Sequence, residues 1–220
     1  MRRLPWARRI AAVASLGDEN RRNLFGFVAS SPRPVGRDDA AGALGIPRST
    51  ASFHLDRMVQ DGVLTVEFRK LGGKAGPGSG RPAKMYGMAQ PEVGASVPDR
   101  NYDLAGELMA TAIEQSSAAG EPVRDALLAT SYAKGLAMAE GSGSLEEFLS
   151  AEGYVPEPDG AGGYALRNCP FHRLADSHSE VVCAMNGAFL SGAAAGCGLA
   201  EGRIAGNNVP GECCARVTPP

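Results

Sequence analysis

The chain has 220 residues, a formal net charge of −2 and five cysteines. This length can bury a hydrophobic core without disulfide bonds, and no apolar run approaches the length that spans a bilayer. The charge is divided unevenly, because residues 1–100 carry 16 Lys+Arg and 9 Asp+Glu, whereas residues 101–220 carry 6 and 15. The net charges of +7 and −9 predict two parts, of which the basic one binds a polyanion such as nucleic acid.

The first part, residues 1–92, is expected to contain helices followed by a β-hairpin. Helical spacing and helix start and stop signals predict a basic helical segment over residues 1–16 and a helix from Asp18 to the Ser30–Pro34 segment. The same signals predict helices over Arg37–Leu44 and Arg48–Gln60. Strands are predicted over Val63–Arg69 and Ala83–Met88. Between them, the glycine-rich, cationic segment Lys70–Pro82 is expected to form the hairpin tip.

The second part follows a linker over residues 91–98 and is expected to be mixed. Residues 99–140 are predicted to form a helical dimerisation region, and residues 141–220 a sensor domain. The expected elements are helices over Tyr102–Gln115, Val123–Ala139 and Leu145–Glu152, a hairpin around Asp159–Gly163, a helix near Glu180–Gly192, and a strand ending at Cys213–Val217. The whole chain is therefore assigned to the α+β class.

The helix over Arg48–Gln60 carries a polar set of side chains opposite its apolar stripe. These are Arg48, Ser49, Thr50, Ser52, His54 and Arg57, together with the apolar Phe53. Two helices separated by the Gly45–Pro47 turn and followed by a basic hairpin are the parts of a winged helix-turn-helix, in which such side chains reach bases and phosphates. Arg81 and Lys84 would contact DNA from the hairpin. The alternative is a solvated helix face, with His54 packed against the hairpin.

Several of these motifs resemble the ArsR-like winged-helix regulators, over residues 18–90. The similarity lies in Ile46–Leu55, in Asp61–Leu64 and in the segment Gly80-Arg81-Pro82-Ala83-Lys84-Met85-Tyr86. Members of this family are homodimers that bind inverted repeats in double-stranded DNA. The resemblance implies that the chain is a transcription regulator with the same partners, and we expect a repressor.

All five cysteines lie between Cys169 and Cys214, and no Cys-x-x-Cys motif is present. No convincing secretion signal precedes them, so a cytoplasmic location is expected, where thiols stay reduced and clustered cysteines indicate metal or redox chemistry. Widely spaced thiolates from separate elements can hold an iron–sulfur cluster. We expect Cys169, Cys183, Cys197 and Cys213 as ligands. Cys214 or His172 could take one position, and Cys197 fits a buried apolar residue best.

The same C-terminal segments resemble the SufR-like branch of this family. The similarity lies in Asn168–His172, Val182-Cys183 and the final cysteine pair. It implies an iron–sulfur cluster, two-iron or four-iron, whose state changes the affinity for DNA.

Other functions remain open at this point. The C-terminal domain could instead bind an organic effector between aromatic side chains such as Phe148, Tyr154, Tyr164 and Phe189. Oxidation of a thiol pair such as Cys213-Cys214 could replace the metal. An enzyme is not expected, since no catalytic constellation or nucleotide-binding glycine motif is found.

Overall fold

The computed structural model describes residues 3–70 and 82–220, and it shows a mixed α+β protein. Its described residues form eight helices and seven strands, and the strands make two small antiparallel sheets. The contacts divide the chain into an N-terminal unit, Leu4–Ala95, and a C-terminal unit that joins Ser96–Pro220 with Arg3. The α+β class is confirmed, and the segments 99–140 and 141–220 pack together within the second unit.

The N-terminal unit places helices against a three-stranded sheet with the strand order β1-β3-β2. Its described elements are α1 (Trp6–Ser15), α2 (Glu19–Ser30), β1 (Val35–Gly36), α3 (Arg37–Leu44), α4 (Arg48–Gln60), β2 (Leu64–Arg69) and β3 (Ala83–Met88). The bounds of α3 and α4 agree with the sequence prediction. The two-residue strand β1 was not predicted, because it is too short to show an alternating pattern.

Local chemistry explains where these helices begin and end. The Asp18 carboxylate accepts a hydrogen bond of 3.0 Å from the backbone N–H of Arg21 and so caps α2. Gly45, with φ of +65°, ends α3 in the left-handed conformation that glycine adopts without steric cost. Leu55 and Met58 of α4 are fully buried, and the side of α4 that carries Arg48, Ser49 and Arg57 is left outside the core.

The C-terminal unit combines four helices with a four-stranded sheet of order β4-β5-β7-β6 in its described residues. The elements are α5 (Tyr102–Ala119), α6 (Val123–Ala139), α7 (Leu145–Ala151), β4 (Pro156–Pro158), β5 (Tyr164–Leu166), α8 (His172–Gly196), β6 (Ile204–Gly206) and β7 (Ala215–Val217). Helix α5 runs four residues beyond its predicted end at Gln115, and strand β6 was not predicted.

Helix α8 is much longer than the predicted helix over Glu180–Gly192. It spans 25 residues and is interrupted at His178, whose φ of −138° and ψ of 44° are not helical. The turns before His178 are largely exposed, so no apolar period marks them in the sequence. Neither α8 nor any other helix in the described ranges is both long and apolar enough to cross a bilayer.

Helices α6 and α8 approach each other closely through glycines. A Cβ atom added at Gly192 would lie 2.0 Å from the backbone oxygen of Tyr132, and one added at Gly135 would lie 2.0 Å from the backbone oxygen of Phe189. Neither distance is compatible with a side chain, so backbone contact fixes the position of α8. This helix carries Cys183, one of the predicted ligands.

We predict that Gly192→Ala destabilises the protein by about 1–3 kcal/mol or more, because the two backbones must separate. Gly187→Ala is the matched control in the same helix. Its added Cβ meets nothing within 4 Å, so the better helix propensity of alanine should stabilise by about 0.5–1 kcal/mol. Urea unfolding followed by circular dichroism measures both changes. Equal stability of the two variants would contradict the close approach.

Candidate functional site

The predicted DNA-contact residues of α4 do not all lie at the surface. Arg48, Ser49 and Arg57 are exposed, and Phe53 is 66% exposed, which is unusual for an aromatic side chain. Thr50 is half-buried. The N-terminal part of α4 therefore presents cationic, hydroxyl and apolar groups to solvent.

The exposed arginines are paired with carboxylates of their own unit. The Arg48 Nε atom lies 2.5 Å from an Asp38 carboxylate oxygen, and the Arg57 Nε atom lies 3.1 Å from one of Asp61. Ion pairs at this level of exposure contribute about 0–1 kcal/mol. A phosphate group could therefore replace either carboxylate at small cost.

Lys84 and Ser52 belong to a network around the buried phenol of Tyr86. The Lys84 Nζ atom lies 2.7 Å and 2.9 Å from the two Asp56 carboxylate oxygens, and the Tyr86 hydroxyl donates to Asp56 at 2.8 Å. Ser52 also hydrogen-bonds with Tyr86. Burial would raise the pKa of Asp56, but the bonds from Lys84 and Tyr86 outweigh it and lower that pKa. Both predicted contact residues thus help to join α4 to β3.

His54 and Arg81 stand apart from the other predicted contact residues. His54 is only 9% exposed, its ring packs edge-on against Phe53, and its Nδ1 atom lies 3.8 Å from an Asp18 oxygen. In the described part of the chain this Nδ1 atom has no hydrogen-bond partner. Arg81 and the hairpin tip over residues 71–81 lie outside the described residues.

Four of the five cysteines come together in the C-terminal unit. Cys169 lies in the loop between β5 and α8, Cys183 lies in α8, and Cys213 and Cys214 immediately precede β7. We call these residues the four-cysteine group. The last pair is fixed through its backbone, because the Cys213 N–H donates to Leu166 O at 2.8 Å and the Cys214 carbonyl accepts from Asn207 N–H at 2.8 Å.

The thiols of the four-cysteine group form a hydrogen-bonded chain from Cys183 through Cys214 and Cys213 to Cys169. The bond with Cys213 holds the pKa of Cys169 below its usual value, against the effect of burial. The bond with Cys169 in turn raises the pKa of Cys213 to about 12, while burial and Cys214 raise that of Cys183 to about 12. Hydrogen bonding to Cys213 and burial also raise the pKa of Cys214. The first thiolate to form is therefore that of Cys169.

A buried amide and phenol, neither of them singled out from the sequence as polar partners, support the four-cysteine group. The Asn186 Nδ2 atom donates to the sulfur of Cys213 at 3.2 Å and contacts that of Cys214 at 3.8 Å. The Asn186 Oδ1 atom accepts from the Tyr154 hydroxyl at 2.5 Å. Asn186 is fully buried and lies three residues after Cys183 on α8, which is the helical spacing that could have indicated it.

Cys197 lies away from the four-cysteine group. It follows Cys183 by 14 residues at the end of α8, and a helix rises 1.5 Å per residue, so the two residues are about 20 Å apart along the axis. The thiol–thiol contacts found within the described residues do not include Cys197, and burial raises its pKa. His172, the other candidate, is exposed, with its Nε2 atom 3.8 Å from an Asp176 oxygen. The structure thus groups Cys214, and not Cys197, with Cys169, Cys183 and Cys213.

The donor set suits an iron–sulfur cluster in its chemistry, since thiolates from separate segments hold such clusters. Over residues 3–70 and 82–220, no three His, Cys, Asp or Glu side chains are placed to hold a metal ion. Cluster binding is therefore a proposal that rests on the donor set.

The aromatic residues expected to line an effector pocket are mostly core residues. Phe148, Tyr154 and Phe189 are at most 5% exposed, and the two phenylalanine rings pack 6.0 Å apart. A cleft of about 230 Å³ lies elsewhere, beside the end of α8, with Tyr132, Leu199 and Arg203 among its lining residues. The expected aromatic pocket is thus filled by packing.

Comparison with known proteins adds no family assignment. No protein-family model matches the chain, and no curated protein matches it either. The similarity to ArsR-like and SufR-like regulators therefore rests on the sequence motifs quoted above.

We predict that Asn186 and Tyr154 are energetically coupled. Asn186→Leu leaves a buried hydroxyl without its acceptor, and Tyr154→Phe leaves a buried amide oxygen without its donor, so each should cost about 1–3 kcal/mol. The double variant removes both partners and should cost at least about 0.5 kcal/mol less than the sum. Urea unfolding under reducing conditions provides the three free energies. Strict additivity would show that the bond contributes nothing.

Proposed function

We propose that this chain is a DNA-binding transcription regulator whose affinity for its operator follows the state of the four-cysteine group. The N-terminal unit would act as a winged helix-turn-helix, with α4 as the recognition helix and the hairpin of β2 and β3 as the wing. The observation that carries this proposal is that α3 and α4, joined by a three-residue turn, are followed by a hairpin, while α4 keeps its cationic N-terminal side exposed.

The chemistry of the exposed side supports binding to duplex DNA. Arginine side chains pair with guanine edges and phosphates, serine hydroxyls bond to either, and an exposed phenylalanine suits a thymine methyl group. Arg48, Ser49 and Phe53 supply these three kinds of contact near the start of α4. The net charge of +7 on residues 1–100 favours a polyanion over longer distances.

The chemistry of the C-terminal unit supports a sensor. Cys169, whose pKa is lowered, ionises more readily than the three thiols beside it. Thiolates are the form of cysteine that oxidants and soft metal ions attack. Two forms of sensing use the same residues: an iron–sulfur cluster held by the four-cysteine group, or reversible oxidation of its thiols without metal. Iron and sulfide analysis of protein purified without oxygen separates the two forms.

Further parts of the proposal come from the family resemblance. They are a homodimer on an inverted repeat and action as a repressor. A cytoplasmic location is proposed separately from the clustered cysteines, since that compartment keeps thiols reduced. In this proposal the dimer places two copies of α4 on the two halves of the operator.

We predict that the full chain binds an arbitrary 30-base-pair duplex with a Kd of about 1–100 μM at physiological salt. Arg48→Ala and Arg57→Ala should each weaken binding, and each lost phosphate contact should reduce the slope of log K against log salt by about 0.9. Fluorescence anisotropy over a salt series measures both quantities.

Arg124→Ala is the matched control for Arg48→Ala. Arg124 lies in the C-terminal unit, 2.5 Å from Glu180, and its side chain is 56% exposed against 61% for Arg48. This variant should bind DNA as the parent does. The proposal for DNA binding fails if the parent does not bind, or if Arg124→Ala and Arg48→Ala lose the same affinity.

A further inference from the structure

The loop that carries Cys169 is bonded on both sides to the residues just before α5. The backbone N–H of Asn101 donates to Pro170 O at 3.1 Å, and the Asn168 side-chain amide donates to Asp99 O at 2.8 Å. The Arg100 guanidinium also donates to the Asn168 side-chain oxygen. The two neighbours of Cys169 in the sequence thus hold the segment Asp99–Asn101.

The same segment is where both chain connections to residues 4–95 are fixed. The C-terminal unit begins at Ser96, just ahead of Asp99, and the other connection leaves the unit after Arg3. The Arg3 guanidinium lies 2.9 Å from one Asp99 carboxylate oxygen and also donates to the backbone oxygen of Arg100. Both chain segments that lead to the N-terminal unit are therefore attached to Asp99–Arg100.

The far end of the segment is fixed inside the C-terminal unit. The Asn101 side-chain amide donates to a Glu152 carboxylate oxygen at 3.0 Å, and both residues are less than 9% exposed. Asn101 also precedes the first residue of α5. Because Asn101 is held in this way, it resists a displacement of the Cys169 loop. The displacement instead moves Asp99 and Arg100, which lie where the chain leaves the unit.

We propose that Asp99–Asn101 couples the state of the four-cysteine group to both chain connections of the N-terminal unit. The inference rests on the proposed function, because it names how the thiol site regulates DNA binding. A change of bonding at Cys169 shifts its sulfur, since a disulfide draws two sulfurs to about 2.05 Å. Cys169 and Pro170 are buried and Asn168 is half-buried. In a close-packed interior these two neighbours of Cys169 must move with it. Their bonds to Asp99 and Asn101 then weaken or rearrange.

The first experiment measures hydrogen exchange at the Asn101 amide in the full chain, in dithiothreitol and after oxidation with diamide. Diamide takes up two electrons and two protons from a thiol pair, and a disulfide forms. We expect exchange at Asn101 to become about five- to tenfold faster on oxidation, because its bond to Pro170 is lost. Cys169→Ser should show no such change. Unchanged exchange in the parent, with a disulfide at Cys169 confirmed by mass spectrometry, would overturn the inference.

The second experiment compares Asn168→Ala with Asn207→Ala on a duplex selected from a random pool. Asn207 supports the Cys213–Cys214 end of the four-cysteine group, since its side-chain amide donates to Cys213 O at 3.1 Å. Its other hydrogen bonds within the described residues join it to Glu212, Val209 and Cys214, and not to Asp99–Asn101. If the parent changes its Kd by about 5- to 150-fold on oxidation, Asn168→Ala should lose that change and Asn207→Ala should keep it. Equal responses in both variants would overturn the inference.

The outcomes separate this inference from the proposed function. A parent that does not bind DNA but shows faster exchange at Asn101 on oxidation would remove the proposed function and leave the coupling in place. A parent whose DNA affinity responds to oxidation, with no change in exchange at Asn101, would leave the function in place and remove the coupling.

Discussion

The backbone contact between α6 and α8 is the constraint on which the C-terminal unit depends. Gly135 and Gly192 let the two helices approach until no Cβ atom would fit at either position. Helix α8 carries Cys183 and Asn186, so this approach determines where one sulfur and the amide that supports two others are held. Because protein interiors are close-packed, a change in the spacing of these helices would alter the distances within the four-cysteine group.

The thiols gain their chemical character from one another. Three of them have a raised pKa, and hydrogen bonding to Cys213 lowers the pKa of the fourth, Cys169, so that Cys169 is the thiol of the group that ionises most readily. That sulfur lies between Asn168 and Pro170, the two residues bonded to the segment before α5. The cysteine with the lowered pKa therefore lies in the same loop that is hydrogen-bonded to the segment before α5.

Most of the regular structure could be predicted from the sequence, because local signals define it. The proline and glycine around the Gly45–Pro47 turn and the apolar stripe of α4 give the bounds of α3 and α4. Strands β1 and β6 have two and three residues, too few for a period, and the early turns of α8 lack an apolar face.

The sequence predicts the sites less well than the helices and strands, because the sites depend on contacts between residues that are distant in the sequence. The sequence indicated Cys169, Cys183 and Cys213 from their wide spacing. It could not show that an almost continuous helix keeps Cys197 about 20 Å from Cys183, nor that Cys214 turns towards the group. His54 has a polar side chain at a helical position typical of a base contact, yet tertiary packing buries it.

The central claim is that the four-cysteine group controls DNA affinity. The most direct test compares operator binding by each protein before and after the state of its cysteines is changed. The parent, Cys169→Ser and Cys197→Ser are titrated on a selected duplex, reduced without metal and again after anaerobic reconstitution with iron and sulfide or oxidation with diamide. We predict that the parent and Cys197→Ser change their Kd at least fivefold between states and that Cys169→Ser does not. A parent with the same Kd in every state, or a loss of response in Cys197→Ser alone, would contradict the account.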